Sequence, residues 1–163
     1  MDAKTQIKNK ILSGDSLNAK LHEWKSSGKR IVFTNGCFDL LHAGHLSYLA
    51  EAAALGDVLV IGLNSDSSVQ VLKGPSRPVN PEQSRAIMLA SMFFVSAVVL
   101  FSEQTPLNII KHIQPSILVK GGDYKIDQIV GAEETLAAGG EVKVLPFLPG
   151  FSSTAIIDKI KNS

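Results

Sequence analysis

Residues 30–45 read RIVFTNGCFDLLHAGH, an apolar run that leads into a turn with two glycines and two histidines. The run Arg30–Asn35 is typical of a buried strand, and the spacing of apolar residues predicts a helix over His45–Leu55. A near-continuous apolar run over Asp57–Asn64 predicts a second strand that is covered on both faces. A strand, a helix and another strand in this order indicate parallel strands joined by a right-handed crossover.

The same alternation continues to the end of the chain. Apolar patterns, together with the prolines and glycines that bound them, predict three further strands and four further helices. The strands are Ala97–Phe101, Ile117–Lys120 and Glu141–Leu145; one helix begins at Pro81 behind an Asn80 cap, and the others cover Pro106–Ile113, Ile129–Ala138 and Ser152–Ile160. The sequence therefore predicts an α/β fold, Rossmann-like and doubly wound, with a five-stranded parallel sheet and helices on both faces.

Residues 1–29 differ from the rest because they are rich in Lys, Ser and Asn. We expect an N-terminal arm whose helix packs on the core through Leu17, Leu21 and Trp24. A single domain is expected over residues 30–163, since the length suits one domain and leaves no room for two full-sized ones.

Composition narrows the class of protein. Hydrophobic residues make up 45% and charged residues 19%, which is typical of a folded globular domain. The net charge of +1 provides no overall field to attract nucleic acid. The single cysteine, Cys37, excludes a disulfide framework and a cysteine-based structural zinc site. The most apolar stretch, Ile87–Phe101, is too short to span a membrane, and Met1–Lys10 lacks the features of an export signal, so we expect a cytoplasmic protein.

The turn after the first strand lies where a doubly wound sheet binds its ligands. Gly36 and Gly44 permit a close approach of the backbone to a ligand, and the helix that follows presents free N–H groups to an anion. His42 and His45 are three residues apart and can point from one helix face at the same group. The turn lacks the G-x-G-x-x-G pattern of a dinucleotide site, and no third ligand at a suitable spacing favours zinc.

The segment NGCFDLLHAGH resembles the strand and turn of the nucleotidyltransferase superfamily that is marked by an H-x-G-H motif. Three later segments, LNSDSSVQVLKGPSRPVNPEQSR, LVKGGDY and FSSTAIIDKI, are similar to the family of D-glycero-β-D-manno-heptose 1-phosphate adenylyltransferases. The resemblance extends from Lys29 to Lys161. It implies an enzyme that moves AMP from ATP to heptose 1-phosphate, with Mg²⁺ carried by the ATP, and supplies ADP-heptose for lipopolysaccharide or another surface glycan. In many bacteria this activity is fused behind a sugar kinase, and the chain length implies the stand-alone form.

The resemblance also implies the residues of the site. His42 and His45 are expected to contact the triphosphate and, with Lys73, to form the catalytic set. Nucleotide-binding residues are expected at Thr34, Asn35, Gly36, Cys37, Phe38, Gly44, His45, Lys120, Gly121, Asp123, Ser152, Ser153 and Thr154. The sugar phosphate is expected to meet Lys73 and Arg77, two cations in a loop with Gly and Pro, and also Arg85.

Two further positions carry expectations. Asp39 is expected to cap a helix or to hold the histidine loop. Lys159 stands where the superfamily motif has an arginine, so it offers a point charge in place of a two-pronged phosphate contact.

Two alternative functions remain open. A cytidylyltransferase acting on a polyol phosphate such as glycerol 3-phosphate shares the histidine loop and the Ser/Thr helix. A nucleotide-binding protein without turnover is the second alternative, although its expected mark, a decayed histidine pair, is not found here. We further expect a homo-oligomer with neither nucleic-acid nor membrane partners, whose candidate contact residues are Met88, Leu89, Met92 and Phe93.

Overall fold

The computed structural model describes residues 1–163 and contains six strands: β1 (Ile11–Leu12), β2 (Ile31–Gly36), β3 (Val58–Asn64), β4 (Ala97–Phe101), β5 (Ile117–Gly121) and β6 (Glu141–Leu145). The strands form one parallel sheet in the order β1-β4-β3-β2-β5-β6. The sheet grows from β2 through β3 to β4, and the chain then returns to the other side of β2 with β5. The switch point of the sheet therefore lies between the carboxyl ends of β2 and β5.

Eight α-helices accompany the sheet: α1 (Ala3–Lys8), α2 (Gly14–Ser26), α3 (Ala43–Ala53), α4 (Asp66–Lys73), α5 (Glu82–Ala90), α6 (Leu107–Ile113), α7 (Ala132–Ala137) and α8 (Ser153–Lys161). The predicted Rossmann-like α/β fold is confirmed. Helix α7 is shorter than predicted because a 3₁₀ turn at Ile126–Gln128 and Gly131, with φ of +84°, precede it. None of the helices combines the length and the apolar character needed to cross a membrane.

The prediction of five strands was wrong, because β1 comes from the segment expected to be an arm. Its two residues pair with Val98 and Val99 of β4 and extend the edge of the sheet. Two residues are too short to show a period, so sequence patterning could not identify this strand. The rest of the expectation for this segment holds, since Leu17, Leu21 and Trp24 are buried in the main core.

Helix α4 replaces the loop that was expected around Lys73. The Ser65 side chain accepts a hydrogen bond of 3.3 Å from the N–H three residues later, and Val69 is fully buried. The helix ends at Lys73 because Gly74 takes a φ of +93°, which favours glycine. Lys73 is thus held at the end of a helix, close to the carboxyl edge of the sheet.

Side chains on the two faces of the sheet enter separate cores. Phe33 and Leu118 belong to the core that includes the buried residues of α2, α6 and α7, whereas Val32 and Val119 belong to the core with α3 and α5. Because side chains alternate along a strand, Lys120 lies on the same face of the sheet as Leu118, and Gly121 lies on the face of Val119. This alternation separates two cavities at the carboxyl edge of the sheet.

Candidate active site

The histidine loop follows β2 and leads directly into α3. His42 caps this helix, because its Nδ1 accepts a hydrogen bond of 3.4 Å from the His45 N–H. A neutral ring that accepts at Nδ1 carries its proton on Nε2. The cap therefore fixes both the tautomer of His42 and the nitrogen that is left to donate to a ligand.

The two histidine rings stack, with centroids 3.9 Å apart. Phe38 meets His45 edge-on at 5.5 Å, and Phe151 stacks on the other side of His42 at 5.8 Å. Burial, aided by the charges of His42 and Lys73, lowers the pKa of His45 to about 4. Burial also lowers the pKa of His42, so both rings are neutral at pH 7. His45 keeps a buried Nδ1 without a hydrogen-bond partner.

These rings open on a cavity of about 290 Å³. Its lining residues come from the start of α3, the end of α4, the connection between β6 and α8, and the start of α8: His42, Gly44, His45, Lys73, Phe147, Leu148, Phe151, Ser152, Ser153 and Thr154. The helix N-termini of α3 and α8 and the Lys73 ammonium are all positive, and no lining side chain is a carboxylate. The cavity therefore suits a polyanion.

The start of α8 supplies hydroxyl groups to this cavity. Ser152 caps the helix by accepting a hydrogen bond of 3.3 Å from the Ala155 N–H. The Ser153 hydroxyl donates to the backbone oxygen of Leu40 at 2.7 Å, which ties α8 to the histidine loop. Thr154 is exposed and its hydroxyl forms no bond within the protein. Lys159 lies further along the helix and does not line the cavity.

Asp39 joins the histidine loop to the basic loop after α4, which confirms one of its two expected roles. Its buried carboxylate accepts hydrogen bonds from the Val79 and Asn80 N–H groups at 2.9 Å and from the Arg77 Nε at 2.6 Å. Burial raises the pKa of Asp39, but these bonds outweigh it and leave the pKa below the ordinary value. Asn80 does not cap α5; its side-chain amide donates to the Asp39 backbone oxygen at 2.8 Å.

Arg77 is thus committed to Asp39, with one buried nitrogen, Nη2, left without a partner. Arg85 is committed further. It is fully buried and donates to the backbone oxygens of Asn80, Cys37 and Asn64 and to the Asp66 carboxylate, at 2.6–2.9 Å. All three guanidinium nitrogens of Arg85 donate within the protein and hold three loops of the site together. The contact of Arg85 with the sugar phosphate stays a prediction.

Thr34 and Phe38 lie behind the histidine loop. Thr34 is fully buried and shares a hydrogen bond of 2.7 Å with the Tyr48 hydroxyl. Phe38 is buried and packs its ring over Gly36, where a Cβ atom would lie 2.9 Å from the ring. Both residues support the histidine loop and neither lines the cavity, and their contact with the nucleotide stays a prediction. Asp123 is exposed and lines neither this cavity nor the second one.

Lys120 lies in a second cavity, on the other face of the sheet. This space of about 170 Å³ is lined by Asn35, Pro106, Leu118, Lys120, Tyr124, Gln128, Ile129 and Val130. Gly121, the next residue of β5, faces the histidine cavity and lies against the Phe147 ring. Cys37 is half-buried where β2 ends, and burial raises the pKa of its thiol, so it is not a nucleophile at pH 7.

Residues 33–159 match the family model of cytidylyltransferase-like proteins. The chain belongs to the cytidylyltransferase-like family. The matched range includes both the histidine loop and the start of α8. No group of three or more His, Cys, Asp or Glu side chains is arranged to hold a metal ion.

The family relationship extends to curated relatives. The chain is 58% identical over 151 residues to the bifunctional protein HldE of Photobacterium profundum, and 52% identical over 152 residues to that of Methylobacillus flagellatus. Both alignments cover 93% of this chain but only 32% and 31% of the relatives. The chain thus spans about a third of the length of the relatives it matches.

Solved structures show the same fold. The lipopolysaccharide core biosynthesis protein of Thermoplasma volcanium is 28% identical, with a TM-score of 0.60, over 74% of this chain and 98% of that one. Pantoate-beta-alanine ligase from Francisella tularensis is 16% identical, with a TM-score of 0.55, over 89% of this chain and 76% of that one. The second likeness concerns the fold alone.

Sequence reasoning missed three lining residues of this cytidylyltransferase-like site: Phe147, Leu148 and Phe151. They belong to the segment PFLPGF, which lies outside every helix and strand. Large apolar residues in a Pro- and Gly-containing connection, just before a Ser/Thr cap, were the available signal. Such residues have no core of their own to enter and therefore pack on the neighbouring site.

Proposed function

We propose that the protein moves the AMP group of ATP to D-glycero-β-D-manno-heptose 1-phosphate and releases ADP-heptose and pyrophosphate. The observation that carries this proposal is the cationic histidine cavity at the carboxyl edge of the sheet, lined by His42, His45 and Lys73. The sequence segments that resemble heptose 1-phosphate adenylyltransferases support the choice of acceptor. The ADP-heptose would serve lipopolysaccharide or surface glycan synthesis in the cytoplasm.

The reaction needs alignment and charge stabilisation more than base catalysis. A phosphate oxygen of the acceptor attacks the α-phosphorus, and the bond to the oxygen that bridges to the β-phosphate breaks in line. That oxygen takes the bonding electrons and leaves with pyrophosphate. Because the acceptor is already ionised, no proton has to be removed before attack.

Charge develops on the leaving pyrophosphate, and this is where the site offers its donors. His42 donates from Nε2, Lys73 adds a full positive charge, and the N-terminus of α8 adds the free N–H groups beside Thr154. Gly36, Cys37, Gly44, Gly121 and Ser152 complete the proposed nucleotide contacts. Mg²⁺ enters as part of the MgATP substrate, held by the phosphates and water, since no lining side chain is a carboxylate.

The test is pyrophosphate release by the purified protein with Mg²⁺, offering ATP or CTP against heptose 1-phosphate or glycerol 3-phosphate. The His42→Ala and His45→Ala variants are assayed beside the exposed control His22→Ala. Turnover with ATP and heptose 1-phosphate alone, lost in the first two variants and kept in the control, supports the proposal. Turnover with CTP identifies a cytidylyltransferase instead. Binding of ATP without turnover of any pair identifies a nucleotide-binding protein.

We also propose that the protein self-associates through the surface at the end of α5. The Phe93 side chain is 92% exposed, and Ile87, six residues earlier in α5, is also exposed. Leu89 is fully buried and is therefore not part of this contact. Sedimentation velocity tests the proposal: Phe93→Ser should shift an oligomer towards monomer, and a wild-type monomer at micromolar concentration contradicts it.

A further inference from the structure

The second cavity contains a cation without a partner. Lys120 forms no ion pair and no hydrogen bond, and its Nζ lies 5.8 Å from the centre of the Tyr124 ring. Burial lowers the pKa of this lysine. A partly desolvated ammonium with only an aromatic face beside it gains most from an anionic ligand.

The other lining residues suit a small polyhydroxylated ring. Asn35 and Gln128 bring amide groups that both donate and accept hydrogen bonds, as hydroxyl groups require. Tyr124 brings an aromatic face, and Leu118 and Ile129 close the cavity with apolar surface. At about 170 Å³ the space is smaller than the histidine cavity of about 290 Å³ and suits one sugar ring.

The position of this cavity relates it to the histidine cavity. Asn35 is half-buried near the carboxyl end of β2 and lines the second cavity. The chain then continues through Gly36 and Cys37 into the histidine loop. Phe33 of β2 pairs with Leu118 of β5, so Asn35 and Lys120, two residues further along each strand, lie on the same face at the carboxyl ends of neighbouring strands. An acceptor phosphate at this edge of the sheet, where β2 continues into the histidine loop, would lie between the two cavities.

We propose that the cavity of Asn35, Lys120, Tyr124 and Gln128 binds the sugar ring of the phosphorylated acceptor, with Lys120 directed at its phosphate. This inference rests on the proposed nucleotidyl transfer and adds where the acceptor lies. The acceptor then approaches the α-phosphorus across the switch point, from the face opposite the nucleotide. Selection of the sugar falls to Tyr124 and Gln128.

Steady-state kinetics with MgATP and heptose 1-phosphate test the assignment in Lys120→Met, Gln128→Ala and Tyr124→Leu. Lys125→Met is the matched control, because this neighbouring lysine is exposed and does not line the cavity. The expected result is a rise of about 10- to 100-fold in the KM for the sugar phosphate in Lys120→Met, from the loss of one charged contact. The KM for ATP should stay within about twofold, which a general structural defect would not allow.

Calorimetric titration of the sugar phosphate, without ATP, separates this inference from the proposed reaction. Binding to the wild type that is weakened in Lys120→Met, with no turnover, would sustain the cavity and overturn the reaction. Turnover in which Lys120→Met and Gln128→Ala leave the KM for the acceptor unmoved would overturn the cavity and sustain the reaction. Absence of both binding and turnover with heptose 1-phosphate overturns both.

Discussion

The Ser153 hydroxyl donates a hydrogen bond of 2.7 Å to the backbone oxygen of Leu40, across 113 positions of sequence. This bond joins the first turn of α8 to the loop that carries the two histidines. The two helix N-termini that face the cavity therefore hold a common orientation. The hydroxyl residues at the start of α8 therefore have two roles, because Ser152 caps the helix and Ser153 ties it to the histidine loop.

Ser153→Ala removes this bond and should loosen α8 from the histidine loop. We expect a loss of about 1 kcal/mol in the free energy of unfolding, typical of one hydrogen bond, together with a higher KM for ATP. Urea unfolding and steady-state kinetics measure the two effects. The control is Ser91→Ala, which removes a hydrogen bond of 2.7 Å to Ile87 on an exposed helix end. An unchanged KM in Ser153→Ala would show that α8 is oriented by other contacts.

Arg85→Met should be among the most damaging single changes in the protein. It leaves three backbone oxygens and the Asp66 carboxylate without their donor, and we expect a loss of about 3–5 kcal/mol in the free energy of unfolding. Arg85→Lys should recover only part, because an ammonium cannot reach all four acceptors.

Urea unfolding again measures the loss at Arg85, and Arg30→Met serves as its control. Arg30 pairs with Glu141 at 2.8 Å on the surface, and such an exposed pair contributes less than about 1 kcal/mol. If Arg85→Met costs no more than this control, the buried network does not hold the site loops together.

His45 should make the protein less stable as the pH falls from about 6.5 to about 4. Its pKa is lowered to about 4 in the folded protein from the ordinary 6.5, so the unfolded chain binds more protons in this window. Stability then rises with pH across the window and is lost on acidification. His42 contributes in the same direction, since its pKa is also lowered. The pKa of Asp39 is also lowered, and the stability that its carboxylate contributes to the folded protein is lost only at still lower pH.

The urea midpoint measured between pH 4 and pH 7 checks this dependence. His45→Asn should flatten the slope, whereas His22→Asn, on the exposed face of α2, should leave it unchanged. A wild-type slope that His45→Asn does not alter would assign the pH dependence to other groups.

Gly44→Ala should reduce activity even though alanine favours a helix more than glycine does. A Cβ atom at this position would lie 2.9 Å from the Phe151 Cβ and 3.0 Å from the His42 ring, so both must shift. The gain in helix propensity is about 1 kcal/mol and acts on stability, not on the alignment of the histidines. Pyrophosphate release should therefore fall by more than about tenfold, given how steeply rates depend on position. Ser47→Ala, exposed on the same helix, is the control and should keep full activity.

Several features of the fold could be predicted because burial leaves a periodic trace in the chain. The bounds of β4 and β6 match the prediction, since each is a short apolar or alternating run between turn residues. β1 and α4 could not be predicted in this way. The two residues of β1 are too few to show a period. The glycine and proline after Lys73 are typical of a loop, so the helix that begins after Ser65 was not predicted.

The candidate site also contains some residues that sequence patterns could place and others that they could not. The structure brings His42, Gly44, His45 and the start of α8, which were predicted at helix starts, to one cavity, and it adds Lys73 from the end of α4. It takes Arg85 out of that cavity, because an arginine in a sequence has the same appearance whether its partners are water or four buried oxygens.

By itself, the sequence determined the alternation of strands and helices, the histidine loop and the family to which the chain belongs. Only the tertiary structure decided that β5 lies beside β2, that Lys120 and Gly121 face opposite cavities, and that Asp39 and Arg85 bind the site loops together. Local patterns record which face of a segment is buried. Which distant residues meet there depends on the order of strands in the sheet and on the buried charges that hold the loops, and a single segment carries no trace of either.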